Sequence, residues 1–233
     1  WRSTVLLASV AALIAAGVAQ LASLGPHHAR AARFDPTVVV TAWTNRKIRL
    51  AYAGYFGHMW ELYSMWAWIA VIAAVSYTRH MPEERAATLA SVTAFVSIAA
   101  GAIISVLAGW QADRVGKARV ALLAMVVSGA CAILTAVAFG GPVWIFFLVV
   151  VVWGASISPD SGQFSALVAD NSPGHQAGSL MTLQTALGFA MTFFTVQATP
   201  VLAEWWGWPP VIAIMALGPA FGIYAMARLA ATS

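Results

Sequence analysis

Charge is what this sequence has least of. Only 9% of its 233 residues are Asp, Glu, Lys or Arg, 61% are hydrophobic, and the mean hydropathy is +0.80. A soluble domain carries about 25% charged residues, so the chain reads as an integral membrane protein. Lysine is scarcer still: Lys47 and Lys117 are the only two, and neither lies within a long apolar run. With no amine at membrane depth there is nothing to form a retinal Schiff base, which excludes a seven-helix photoreceptor. Cysteine is nearly absent. Cys131 stands alone inside an apolar run, so no internal disulfide can form and the thiol reads as a small apolar side chain. The sequence pI is near 9.6, but the basic residues are too few and too scattered to track a phosphate backbone. A nucleic-acid partner is therefore not expected.

What the chain does have is long apolar runs. A spanning helix needs about 20 largely apolar residues, and seven runs qualify: 4–24, 49–77, 86–110, 119–139, 142–168, 176–202 and 209–230. These runs are continuously apolar, not alternating in short segments as β-barrel strands do, and an open sheet edge cannot sit in lipid. The expected fold class is all-α and polytopic. The first run is too long for a signal-peptide core and reads as a span. Because it opens on Trp1 almost at once, the chain reads as starting partway through a larger protein. Three segments are expected: a helix over 1–24, a polar, basic linker over 25–48, and a six-helix unit over 49–233. Pro82, Pro142 and Pro173 fall near span starts, where a missing N–H costs little. Pro159 lies inside the fifth span and is expected to free the Ala155 carbonyl and bend that helix.

The few basic residues are unevenly distributed. Arg30, Arg33, Arg46, Lys47 and Arg49, then Arg114, Lys117 and Arg119, and finally Arg228 fall on one side of the spans, whereas Arg2, Arg79 and Arg85 fall on the other. Lys and Arg accumulate on the cytoplasmic side. The linker, the 111–119 turn, the 169–175 turn and the C-terminus are thus expected in the cytoplasm, with the chain in the plasma (inner) membrane. Trp205, Trp206 and Trp208 then form an aromatic belt at the outer surface.

Polar groups at membrane depth are the candidate functional residues. His58 and Glu61 are three apart on the second span and share a helix face. Glu61 follows Arg49 by twelve residues, about 18 Å into the bilayer. An ionisable group there costs several kcal/mol or so and points to function. Removal from water penalises a charged carboxylate, which suits a proton carrier, although a cationic His58 would favour the charge. The plainer alternative is a neutral Glu61 hydrogen-bonded to a neighbouring helix. Asp160 and Gln163 share a face of the fifth span with Ser156 and Trp153, and Gln184 in the sixth is placed to face a cavity. Asp170 reads as a loop or capping residue. Small residues recur every fourth position at Ser97, Gly101, Ser105 and Gly109, and again at Gly178, Thr182, Ala186 and Ala190. Such ridges let helices approach closely, either within one bundle or across a sliding surface.

One short stretch carries a family signature. In "LAGWQADRVGKARVAL", residues 107–122, Gly109, Asp113, Arg114 and Gly116 stand in the register Gly-x-x-x-Asp-Arg-x-Gly, with Lys117 next and Arg119 one position late. This resembles the loop signature of the major facilitator superfamily of secondary transporters. The "WR" opening and the stretch "NSPGHQAGSLMTLQTALGF" resemble that family as well. The resemblance implies the family's sixth helix, the linker between its halves, and helices seven to twelve; helices one to five of the same protein would be partners. It implies that Glu61, His58, Asp160, Gln163 and Gln184 lie on or near a proton and substrate cavity. Residues Gly109, Asp113, Arg114, Gly116 and Lys117 would form a conformational latch, with Asp113 facing a helix N-terminus of the other half and the cations pairing with cytoplasmic acids. A small solute or ion would cross by alternating access, coupled to protons or simply facilitated. No cofactor or metal is implied, and no enzyme. An intramembrane serine hydrolase using Ser156 or Ser161 with His58 as base is the alternative from another class, but no Gly-x-Ser-Gly stretch supports it.

Overall fold

The computed structural model describes residues 2–21 and 36–232, and among them every regular element is a helix. The chain divides into two compact units, 1–33 and 34–233. In the first, α1 (Arg2–Gln20) is a 19-residue apolar helix long enough to cross a membrane. The rest of the 25–48 linker up to residue 35 lies outside the described residues.

The second unit opens with a short helix, α2 (Val38–Thr44), inside the segment expected to be linker. Val38 and Ala42, four apart, are buried, so one apolar face holds it down. Asn45 then caps α3 (Arg46–Tyr77), its side chain accepting from the Lys47 and Ile48 amides. α4 (Glu83–Val115) and α5 (Lys117–Ala138) follow, then α6 (Val143–Ile157), α7 (Ser161–Asn171), α8 (Ala177–Trp206), α9 (Trp208–Met215) and α10 (Leu217–Ala230). Residues 143–171 and 208–230 each make one span from two helices, so α1 and these six spans give seven helices long and apolar enough to cross a membrane. This is an all-α polytopic membrane protein.

Prolines explain the interruptions. Pro142 stands at the N-cap of α6. Pro159 does more than bend its span: α6 stops at Ile157 and α7 starts at Ser161, leaving a true break. Pro219 cannot bond the Met215 carbonyl, and the chain divides there into α9 and α10. Pro200 sits inside α8 and deprives the Val196 carbonyl of its partner. The Trp68 indole N–H donates to that carbonyl at 3.0 Å.

The six spans alternate in direction. At the linker end, Asn45 Nδ2 donates to the Asn171 carbonyl (3.2 Å) and Lys117 pairs with Asp170. At the far end the Gly140 amide donates to Ser76 Oγ (2.9 Å), and the Arg79 guanidinium lies 5.3 Å from the Phe139 ring. The apolar interior is split along this axis. One cluster, near the linker end, includes Ile48, Met59, Met125, Phe164 and Met226; the other, toward the far end, includes Leu62, Ile69, Cys131, Phe146 and Ile157.

The two small-residue ridges differ. Ser97 and Gly101 pack inside the bundle, where a Cβ on Gly101 would sit 2.6 Å from the Gly154 carbonyl oxygen. Farther along α4, Gly109 has nothing within 4 Å of such a Cβ. On α8, Gly178, Thr182, Ala186 and Ala190 are all exposed.

Candidate functional site: a polar layer between two apolar cores

On three of the spans, the passage from one apolar cluster to the other is marked by buried polar side chains. α3 leaves the first cluster at Met59 and enters the second at Leu62, with His58 and Glu61 at the changeover. α5 passes from Met125 to Cys131 across Ser128, and the broken span passes from Ile157 to Phe164 across Asp160 and Gln163. The groups therefore form a layer at mid-height. Glu61, the sixteenth of the 32 residues of α3, is placed there by helix length alone.

Within the layer Glu61 is 1% exposed. Its Oε1 accepts from the Trp153 indole N–H and its Oε2 from Ser128 Oγ, each at 2.8 Å. A buried carboxyl is tolerated only where its oxygens are satisfied, and two neighbouring helices supply those donors. One turn earlier, His58 Nδ1 lies 2.9 Å from Asp160 Oδ1. The imidazole is held between Tyr55 and Phe164, with ring centroids 6.2 and 5.6 Å away. Its Nε2 has no hydrogen-bond partner among the described residues. Asp160 occupies the N-cap position of α7 but does not cap it; its carboxyl is turned to the histidine instead.

The sequence brought His58, Glu61, Asp160 and Gln163 forward, and the structure places all four in this layer. They are packed inside the unit, not set along an open cavity wall, since all four are buried. Gln184 is also buried, on α8 facing α3 near Tyr52, and neither of its amide atoms has a hydrogen-bond partner among the described residues. Ser128 was not foreseen. Its one signal is a hydroxyl beside Gly129 in an apolar run, which does not say which helix it faces. Ser156, a candidate nucleophile of the hydrolase reading, donates back to the Trp153 carbonyl of its own helix (3.0 Å).

The 111–119 segment is not a loop. α4 continues through Asp113 and Arg114 to Val115, and α5 begins at Lys117, leaving Gly116 as the only joint. Its φ of 97° is open to glycine and strained for other residues. Asp113 and Arg114 are exposed, and Gly109 is half-exposed. Lys117 finds an acid, Asp170, in the last turn of α7, so Asp170 is an ion-pair partner where a capping role was expected. Arg114 stacks instead, its guanidinium 3.3 Å above the Trp110 ring.

No family model matches this chain, and no curated protein matches it.

Proposed function

We propose that this chain is part of a secondary transporter of the major facilitator type, moving a small solute or ion across the membrane by alternating access, with protons coupled through the polar layer. The observation that carries the reading is Glu61: a carboxyl in the middle of a spanning helix, held by Trp153 and Ser128, one turn from the His58–Asp160 contact. Three titratable side chains are buried at one depth, and none of the buried residues described is Lys or Arg. No described cation of the unit is buried beside them, which favours protons as the charges that a change of packing between states would bind or release.

The Gly-x-x-x-Asp-Arg-x-Gly register at the α4–α5 joint and the alternation of six spans support the family reading. In it the described spans are helices six to twelve, and helices one to five of the same protein complete the cavity. Exposed Asp113 is then free to meet a helix of that other half. The exposed small residues of α8 offer that half a close approach. The excess of basic residues at the linker end supports a cytoplasmic location for that end, in the plasma membrane.

The test requires no known substrate. Proteoliposomes containing the protein, adsorbed on a solid-supported membrane, are given a pH jump and the transient charge displacement is recorded. The native protein gives a displacement and Glu61→Gln does not, with equal insertion of both. Equal signals would end the coupling role and leave a facilitator.

A further inference from the structure

We propose that the head of the α4–α5 cleft is a binding site for an anionic phospholipid, with the phosphate at Arg114 and Arg119 and an acyl chain in the groove below. The proposal stands on two adjoining cavities and does not draw on the transport reading, in which Arg114 would pair with a cytoplasmic acid instead.

The first cavity, of about 590 Å³, lies at the linker end, where Arg114, Lys117 and Arg119 face Asp113 and Asp170. Lys117 is occupied by Asp170. Neither Arg114 nor Arg119 makes a hydrogen bond or ion pair with a described residue, and the cavity keeps one positive charge in excess. Stacking on Trp110 engages the face of the Arg114 guanidinium and leaves its N–H edge available. The first-turn amides of α5 add to this, because Gly116 has no side chain to cap them.

The second cavity is a groove of about 550 Å³ with an almost wholly apolar wall, including Leu107, Trp110, Leu123, Val127 and Val152 from three helices. It follows α4 from Ile104 to Gln111, about 10 Å. The two cavities meet at a small buried cluster: Ala108 and Val120 line the groove, and Ala112 lines the basic cavity. From the membrane interior outward, the order is apolar groove, tryptophan, unpaired arginines. A phospholipid presents the same order, chain then glycerol then phosphate. A free phosphate would leave the groove unused, and an apolar helix would leave the two arginines without an anion. Basic pockets between spans at a membrane surface hold acidic headgroups in this way.

The experiment is native mass spectrometry of the full chain in detergent, titrated with phosphatidylglycerol or with phosphatidylcholine of the same chains. Phosphatidylglycerol is expected to bind preferentially, and Arg114→Gln and Arg119→Gln each to lower that preference about fivefold. Both side chains are exposed, so both variants should fold. A photo-crosslinking residue at Leu123, expressed in membranes, should capture lipid. Equal binding of the two lipids, a preference unaltered in the double variant, or displacement by glycerol phosphate at the lipid's own concentration would overturn the proposal. Capture of a polypeptide at Leu123 would overturn it too, and would give the groove to a helix.

Discussion

His58 Nδ1 lies 2.9 Å from Asp160 Oδ1, within ion-pair reach but without hydrogen-bond geometry, so the middle of α3 lies against the point where the fifth span is broken. The break and the contact go together. Pro159 interrupts the helix, and the interruption gives Asp160 a position from which its carboxyl meets the imidazole.

If that contact is an interaction and not mere proximity, the two residues are coupled energetically. A double-mutant cycle of His58→Gln and Asp160→Asn, read by unfolding in detergent, should give an interaction energy of about 1–3 kcal/mol. Additive losses would mean that the pair sits together without holding anything.

Glu61 depends on its two donors. Trp153→Phe removes the indole N–H together with part of the ring, and Ser128→Ala removes the hydroxyl; each should cost about 1–3 kcal/mol of stability by leaving a carboxyl oxygen short of a partner, with a further loss in the first from the space it opens. The carboxyl band that disappears from infrared difference spectra in Glu61→Gln should shift in both variants. A band unmoved in either would show that the donor is not bound to this carboxyl in the membrane.

The α3–α10 crossing is built on glycine. A Cβ at Gly57 would strike the carbonyl oxygen of Gly218, which is backbone and cannot turn aside. Gly57→Ala should therefore destabilise by about 1–3 kcal/mol. Gly109→Ala meets nothing within 4 Å and should be neutral or stabilise by up to about 1 kcal/mol. Equal melting shifts for the two would contradict the packing.

Gly116 carries the whole reversal between α4 and α5 at φ 97°. Gly116→Ala should cost about 1–3 kcal/mol, seen as a lower melting temperature in detergent. An unchanged melt would mean that the joint has conformations other than the one described.

The spans were legible because an apolar run of membrane length has few other uses, and the depth of Glu61 followed from counting along α3. Hydropathy does not register what faces what. It placed Glu61 at mid-membrane but could not name Ser128, which is 67 residues away in the chain. It read the 111–119 stretch as a loop because charged residues ended the apolar run, although a helix longer than the bilayer simply carries its polar end into water. α2 was hidden for the opposite reason: seven residues are too few for a periodic signal. Whether the polar residues are buried within the unit depends on which helices pack together, and the structure shows them buried there.

Trp68 donates to the carbonyl that Pro200 leaves open, and Tyr52 donates to the carbonyl of Leu180. Tyr52 and Trp68 are sixteen residues apart, and so are Leu180 and Val196, which makes α3 and α8 parallel rails joined by two rungs in the same register. Sliding either rail by one residue would break both rungs at once and strand an indole N–H, a phenol and the Val196 carbonyl where no water can replace the lost bonds. The pair is therefore a girder. Motion in this bundle is then left to its other joints, Gly116 and the gap between α6 and α7 among them.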